Sequence, residues 1–209
     1  MTARAARPIV LGLTGSIGMG KTTTAAMFAA AGVPVWDADA TVARLYGPGG
    51  AAGPALADLV PDAAGAQGVD RARLRARVTA DPALLPLIEA RVHPLVAADW
   101  AAFLERAAAA GVRLVVLDIP LLFETGADAA CDATVVVSAP EAVQRARVLA
   151  RPGMTEATLD RLLARQVPDA EKRARATHVI DTSTLESARA AVQTLIATYG
   201  GKADARDCP

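Results

Sequence analysis

The sequence contains no asparagine and very few lysines, cysteines or aromatic residues. Its 209 residues include three lysines, two cysteines and 3% aromatics. Because rings are scarce, alanine, leucine and valine must fill the core, and a hydrophobic fraction of 53% is sufficient for one. Two cysteines, Cys131 and Cys208, exclude a disulfide framework or a cysteine metal cluster and indicate a reducing compartment.

Membrane and nucleic-acid signals are also missing. No apolar run approaches the roughly 20 residues that a membrane helix needs, and no apolar signal core precedes the first predicted strand. Lys+Arg and Asp+Glu both total 22, so the basic excess of a general nucleic-acid binder is absent. We therefore expect a cytoplasmic protein without membrane or nucleic-acid partners, ending in a frayed tail at 200–209.

A glycine-rich stretch lies between an apolar strand at 9–13 and a helix at 23–31. It fits the phosphate-loop pattern G-x-x-x-x-G-K-[ST], in which backbone N–H groups and a helix N-terminus face an anion. Lys21 is predicted to reach the outer phosphates of a nucleoside triphosphate, and the Thr22 hydroxyl is predicted to bind Mg²⁺. The predicted nucleotide-binding residues are Gly15, Ser16, Ile17, Gly18, Met19, Gly20, Lys21, Thr22, Thr23 and Arg151.

Short apolar strands alternate with helices along the chain. This alternation predicts an α/β fold with a parallel sheet flanked by helices. Together with the phosphate loop, the helical stretch at 70–110 and the arginine-bearing helices after residue 141, the expected fold is a P-loop kinase-like sheet with a helical substrate-binding insertion and a helical lid. The predicted strands are 9–13, 33–36, 112–117, 133–137 and 178–180. The predicted domains are a nucleotide-binding core (1–46, 111–140 and 176–199), a helical acceptor domain (47–110) and an arginine-bearing lid (141–175).

Capping residues predict where several helices begin. Asp70 and Thr155 each precede a helical pattern, and Asp81-Pro82 opens a further one. A separate helix is expected from His93-Pro94, because proline is tolerated in a first turn. Capping boxes are expected at Ser138–Glu141 and Ser183–Glu186.

Acidic residues follow two of the predicted strands. Asp118 follows a run of apolar residues, the position of an acid near Mg²⁺, so it is a candidate metal ligand together with Thr22. Asp37 and Asp39 follow the second strand, at the face where ligands bind in open α/β sheets. Asp39 is either a helix cap or the residue that meets an acceptor hydroxyl.

Arginines recur along the predicted lid. Gln144, Arg147 and Arg151 share one helix face, and Arg161 and Arg165 follow on the next helix. These arginines either form a solvated charged face or close over reacting phosphates.

The absence of asparagine argues against a GTPase, which would need an Asn-Lys-x-Asp base reader. A motor ATPase would carry an acidic pair, whereas Asp118 is followed by Ile119 and Pro120. A small kinase remains. In such an enzyme Asp39 orients the acceptor hydroxyl and accepts its proton, while Lys21, Mg²⁺, Arg147 and Arg151 neutralise charge.

The chain resembles the dephospho-CoA kinase family from about residue 9 to residue 182. The phosphate loop by itself is weak evidence for that family, but seven ordered motifs are specific. They are 13–22, Asp37-Ala38-Asp39, His93-Pro94, Pro120-Leu121-Leu122-Phe123-Glu124, Gln144-x-x-Arg147-x-x-x-Arg151, Gln166-x-Pro168-x-x-x-Lys172 and Val179-Ile180-Asp181-Thr182. Two mild departures are Ser16 in place of glycine and Thr182 in place of asparagine.

The resemblance implies ATP-dependent phosphorylation of the ribose 3′-hydroxyl of dephospho-CoA, the last step of coenzyme A biosynthesis. It implies that Asp39 acts at the acceptor hydroxyl and that Arg147 contacts phosphate. It also adds substrate contacts, so that the expected acceptor-binding residues are Asp37, Asp39, His93, Pro120, Leu121 and Leu122. We expect a monomer or a weak homo-oligomer.

Two alternatives remain open at the level of sequence. One is another small-molecule kinase with a nucleoside or nucleotide acceptor. The other is a non-catalytic ATP-binding regulator, which leaves Asp39 and the lid arginines without a role.

Overall fold

The computed structural model describes residues 7–200, which divide into two compact units. Residues up to 36 and from 107 onward form the first unit, and residues 37–106 form the second. The elements up to α4 are β1 (Ile9–Thr14), α1 (Lys21–Ala30), β2 (Val35–Asp37), α2 (Ala38–Tyr46), α3 (Ala52–Leu56), β3 (Ala64–Gly65), β4 (Gly68–Val69) and α4 (Arg71–Ala80). The remaining elements are α5 (Leu84–Ala109), β5 (Leu114–Asp118), a 3₁₀ turn (Ala127–Ala130), β6 (Ala133–Ser138), α6 (Glu141–Leu149), α7 (Glu156–Leu163), α8 (Asp169–Arg175), β7 (His178–Asp181) and α9 (Leu185–Gly200).

The larger sheet has the strand order β2-β5-β1-β6-β7. β1 pairs in parallel with β5 and β6, and β6 pairs in parallel with β7. In this register Leu11 of β1 lies between Val116 and Ala133. β5 and β6 are buried along their whole length, which is why their sequences are continuous apolar runs. The predicted fold class is confirmed, and the five predicted strands all form.

Helices pack on this sheet around a core of small aliphatic side chains. Phe28 of α1 is fully buried there beside strand residues such as Leu13 and Val135. Val192 and Leu195 of α9 join the same cluster. Each Å² of buried apolar surface stabilises the fold by about 25 cal/mol, whether it belongs to an aliphatic or an aromatic side chain. Many small aliphatic side chains can therefore replace a few aromatic ones. This core fixes the ends of β1, β5 and β6, where the candidate site lies.

The second unit has its own core. Leu56, Val60, Ile88 and Val92 bury their side chains together. The sequence analysis did not predict the short antiparallel hairpin β3–β4 in this unit. Its Gly68 has φ +94°, and a Cβ there would lie 2.5 Å from the carbonyl oxygen of Gly47, so only glycine fits.

One helix replaces two predicted ones. Residues 84–109 form the continuous helix α5, with Pro94 in its interior. The prediction that a helix begins at His93-Pro94 is therefore wrong. A proline inside a helix lacks one N–H donor, so local preference favoured a break there. Packing of Ile88 and Val92 in the core of the second unit stabilises the continuous helix in spite of that preference.

The predicted caps are confirmed only in part. Asp70 accepts hydrogen bonds from the N–H groups of Ala72 and Arg73, and Thr155 accepts one from Thr158. For α2, Asp37 is the cap: it accepts from Ala40 N at 2.9 Å. The interpretation of Asp39 as a cap is therefore wrong.

Both predicted capping boxes are wrong. Ser138 ends β6, and its hydroxyl donates to Asp169 Oδ2 at 2.7 Å instead of capping α6. At α9 the hydroxyl of Thr184 accepts from Ser187 N, while the Ser183 hydroxyl donates to Asp181. Several hydroxyls in a row offer alternative local hydrogen bonds, and only the path of the chain selects between them.

No helix within residues 7–200 has the length and apolarity that crossing a membrane requires. The predicted tail at 200–209 lies, apart from Gly200, outside the described residues, as does Cys208.

Candidate active site

The phosphate loop connects β1 to α1, and its glycines are required for steric reasons. Gly18 and Gly20 have φ values of +79° and +88°, in the left-handed region that favours glycine. A Cβ on Gly15 would lie 2.3 Å from Val137 Cγ2 of β6, so β6 approaches the loop too closely for a side chain. The curled backbone leads directly into the N-terminus of α1, which provides an anion site.

Neighbouring connections hold this loop in place. The Thr182 hydroxyl donates to the carbonyl oxygen of Met19 at 2.7 Å, and Ala139 N donates to Met19 Sδ at 3.2 Å. Thr182 lies after β7, and Ala139 lies after β6. The loop is therefore attached to the carboxyl ends of two further strands, and Thr182 makes one of these attachments although it departs from the family pattern.

Lys21 and Asp118 form an ion pair at the centre of the site. Lys21 Nζ lies 2.6 Å from Asp118 Oδ1, with 16% and 5% of the two side chains exposed. Asp118 is the last residue of β5, so sheet pairing with β1 brings it to the loop. Because the pair is nearly buried, little water screens the attraction between the two charges. Thr22, the adjacent residue of α1, is exposed.

The donor set here fits Mg²⁺. Mg²⁺ prefers oxygen ligands and usually keeps several waters, binding one or two protein oxygens together with substrate phosphates. Thr22 and Asp118 supply a hydroxyl and a carboxylate of this kind. Within residues 7–200 no cluster of three or more His, Cys, Asp or Glu side chains forms a metal cage. An ion held mainly by phosphates would need none.

A cavity of about 300 Å³ lies beside the phosphate loop. Its lining includes Gly18, Gly20 and Thr23 together with Arg147 and Arg151 of the lid segment. Its volume is at the lower end of the range for small-ligand pockets.

Arg147 is held by the segment after β7 through Nη2. Its Nη2 donates to the carbonyl oxygen of Thr182 at 2.7 Å. Its Nη1 is buried and makes no hydrogen bond within the described chain. A buried donor without a partner costs about 1–3 kcal/mol, so this nitrogen is suited to receive an acceptor from a ligand.

The two lid helices form a hairpin. Pro152 and Gly153 separate α6 from α7, and Gly153 has φ +75°. Arg145 of α6 pairs with Glu156 and Asp160 of α7. Burial opposes the charged form of Arg145, but the two carboxylates outweigh it and raise its pKa. This arginine therefore joins the two lid helices to each other.

The predicted acceptor residues lie in different surroundings. Asp39 in the first turn of α2 and His93 on α5 are exposed and belong to the second unit. Asp37 caps α2. After β5, Leu121 is 40% exposed, whereas Leu122 is fully buried and packs against Gly12 of β1. Pro120, in the same turn, accepts a hydrogen bond from the Thr14 hydroxyl through its carbonyl oxygen.

Four polar residues at the site were quoted as family motifs but were given no role in the sequence analysis. Gln144 and Gln166 hydrogen-bond the backbone of Ile17 in the phosphate loop. Glu124 and Lys172 form an ion pair at 2.9 Å, with Lys172 fully buried. The signal in the sequence was Lys172 itself, one of three lysines in the chain, within the motif Gln166-x-Pro168-x-x-x-Lys172.

Cys131 is a free thiol whose sulfur lies beside Gly12 of β1. Burial, together with the charges of Asp128 and Asp132, raises its pKa to about 11. At neutral pH it is therefore protonated and a poor nucleophile.

A parallel sheet with a phosphate loop after β1, an acid at the end of β5 and an arginine-bearing helical hairpin defines a P-loop phosphotransferase of the small-kinase class. The sequence profile described as dephospho-CoA kinase matches residues 9–187. The dephospho-CoA kinase of Cereibacter sphaeroides is 59% identical over 199 residues, 95% of this chain and 100% of that protein. That of Jannaschia sp. is 60% identical over 186 residues, 89% and 94% of the two chains.

The solved structures agree with the fold. A Thermus thermophilus protein superposes with a TM-score of 0.80 at 36% identity, covering 92% of this chain and 98% of its own. Dephospho-CoA kinase from Campylobacter jejuni superposes with a TM-score of 0.70 at 20% identity over the same shares. The chain belongs to the dephospho-CoA kinase family, and it is a kinase of coenzyme A biosynthesis.

Proposed function

We propose that this chain transfers the γ-phosphoryl group of ATP to the ribose 3′-hydroxyl of dephospho-CoA, giving coenzyme A and ADP. The observation that carries the proposal is the Lys21–Asp118 pair at the phosphate loop, 2.6 Å apart, in a chain of this family. When the triphosphate binds, Lys21 exchanges its contact with Asp118 for the outer phosphates. The transition state is loose, so neutralising and positioning these oxygens supplies most of the acceleration.

Mg²⁺ is the proposed metal. Thr22 and Asp118 would hold it, directly or through water, and it would neutralise charge on the phosphate oxygens. Arg147 is proposed to donate from its unpartnered Nη1 to the nucleotide, and Arg151 to line the same cavity. The other phosphate-loop residues are proposed to bind the triphosphate through their backbone N–H groups. Ile17 and Met19 are the exceptions, because their N–H groups already donate to Gln166 and to Ser16.

Asp39 is the proposed proton acceptor of the ribose hydroxyl. Its exposed carboxylate lies in the first turn of α2, and the cap of that helix is supplied by Asp37. The exposed residues His93 and Leu121, and the turn at Pro120, are the proposed acceptor contacts. We further propose a cytoplasmic location and a monomer or weak homo-oligomer without nucleic-acid partners, in line with a net charge of zero.

The test is a coupled ADP-release assay that compares dephospho-CoA, AMP, CMP and shikimate at equal concentrations. We expect turnover with dephospho-CoA to exceed that with each other acceptor by at least about 10³-fold, because a site that hydrogen-bonds its substrate rejects analogues lacking those groups. Faster turnover with AMP or CMP would favour a nucleotide kinase. ATP binding without turnover on any acceptor would favour a regulator.

A further inference from the structure

Two glutamine side chains hydrogen-bond the same residue of the phosphate loop. Ile17 N–H donates to Gln166 Oε1 at 3.2 Å, and Ile17 C=O accepts from Gln144 Nε2 at 2.8 Å. The peptide fixes the directions: Gln166 must present its oxygen, and Gln144 must present its NH₂ group. Both peptide groups that flank Ile17 are therefore held from outside the loop.

The two glutamines lie at opposite ends of the lid hairpin. Gln144 is on α6 and is only 4% exposed, while Gln166 follows α7. Between them lies the rest of the hairpin, 145–165. α6 also packs directly on the loop, because a Cβ on Gly18 would lie 2.5 Å from Val148 Cγ2. The lid segment is thus joined to the phosphate loop where it leaves the core and where it returns.

A buried ion pair fixes the return point. Glu124 Oε1 accepts from Val167 N at 2.9 Å and pairs with Lys172 Nζ at 2.9 Å. Burial raises the pKa of Glu124, but the lysine and the Val167 N–H outweigh it, so the pKa lies below its usual value. Glu124 therefore remains ionised at neutral pH and holds the backbone next to Gln166.

We propose that Gln144 and Gln166 are positioning residues that set the conformation of the phosphate loop through Ile17 and couple it to the lid. In this role they act through the backbone of Ile17 and not on the reacting atoms. Fixing both peptide groups of one residue restricts its φ and ψ, and Ile17 directly precedes Gly18, so the restriction fixes the direction of the N–H groups that receive phosphate. Phosphoryl transfer depends steeply on such placement. This inference rests on the proposed function for its rate readout.

The directions of the two hydrogen bonds suggest a paired test. Gln166→Glu keeps an oxygen that accepts from Ile17 N–H, whereas Gln144→Glu removes the donor to Ile17 C=O. Both variants add one negative charge beside the same residue, but the charge at Gln144 is more deeply buried. The uncharged variants Gln144→Met and Gln166→Met are therefore compared as well. Gln166 is half-buried, and Gln166→Met removes its hydrogen bond without adding a charge. Gln193→Glu, at an exposed position of α9, is the control for replacing a glutamine with a glutamate away from the site.

We expect kcat with dephospho-CoA to fall about fivefold to tenfold in Gln166→Met, the range for one lost hydrogen bond, and Gln166→Glu to restore most of it. Gln144→Glu should be about tenfold slower than Gln166→Glu. KM for dephospho-CoA should stay within about twofold for both Gln166 variants. Their melting temperature without ligand should stay within about 4 °C, the shift expected for one hydrogen bond.

Equal rates for Gln144→Glu and Gln166→Glu, or a Gln166→Met variant as fast as the unmodified chain, would overturn the inference. ATP affinity, measured by calorimetry in the same variants, needs no acceptor and is expected to follow the same order. If ATP affinity follows this order among the variants but the unmodified chain does not phosphorylate dephospho-CoA, the result would contradict the proposed function and support the inference.

Discussion

Asp37 and Asp39 are two residues apart but lie in different local surroundings. Asp37 accepts a hydrogen bond from Ala40 N and so begins α2. Asp39 follows in the first turn of α2 and is exposed. The sequence could not decide which of the two aspartates caps α2, because both satisfy the preference for aspartate at a helix start.

Replacing Asp39 with alanine tests its proposed role. We expect Asp39→Ala to lower kcat with dephospho-CoA by about 10²-fold or more, because the acceptor hydroxyl loses its proton acceptor, while ATP affinity is nearly unchanged. Coupled ADP release and calorimetry measure the two quantities. Glu89→Ala, an exposed acidic residue of α5, is the matched control. Unchanged turnover in Asp39→Ala would remove Asp39 from the mechanism.

At the scale of elements, the Glu124–Lys172 pair joins the turn after β5 to α8. Glu124 is not unusual in the sequence, and Lys172 stands out only because lysine is rare in this chain. A lysine on a short helix among other charged residues has the pattern of a solvated face. Only the packing of α8 buries Lys172, and a buried lysine needs a partner. The sequence motifs therefore marked the residues without indicating that they meet.

We expect Glu124→Gln to lower the free energy of unfolding by roughly 3 kcal/mol, because Lys172 stays buried without its carboxylate. Urea denaturation measures the difference. Combining Lys172→Met with Glu124→Gln should recover part of the loss, since the buried charge is then gone. Asp58→Asn, which breaks an exposed pair with Arg91, should have little effect. If Glu124→Gln and Asp58→Asn lowered the free energy of unfolding by similar amounts, the Glu124–Lys172 pair would not have the stabilising role assigned to it.

The pH dependence of this pair has a defined sign. The pKa of Glu124 is lowered in the folded chain, so its contribution is complete above the ordinary carboxyl pKa and is lost as pH falls through the lower, folded value. The difference in free energy of unfolding between the unmodified chain and Glu124→Gln should therefore be constant from about pH 6 to 8. It should become smaller below about pH 4.

At the scale of the whole molecule, ligand binding adds to stability. ATP with Mg²⁺ at about 100 times its dissociation constant should stabilise the chain by roughly 2.7 kcal/mol and raise its melting temperature by about 5–10 °C. Lys21→Ala should abolish most of this shift, because the lysine that would contact the phosphates is gone. Differential scanning fluorimetry with and without nucleotide measures it. A full shift in Lys21→Ala would contradict the proposed role of Lys21.

The sequence by itself determined the strands, the phosphate loop and the reaction class. Continuous apolar runs specify buried parallel strands, and a strand–glycine loop–helix order has few other uses. It failed where local preference and tertiary packing disagree: Pro94 lies inside α5, and Ser138 bonds Asp169 instead of capping α6. Propensities of this size, near 1–3 kcal/mol, are outweighed by burial of a helix face.

Only the tertiary structure decided which polar groups meet. Lys21 and Asp118 are 97 residues apart in the chain, and Ile17 and Gln166 are 149 apart. Such pairings depend on the order of strands in the sheet and on where the lid returns, and periodicity within one segment carries no information about either. The phosphate loop could be predicted from eight consecutive residues, because its own backbone N–H groups bind the phosphate. The groups that hold it came from β5, β6, β7 and both ends of the lid.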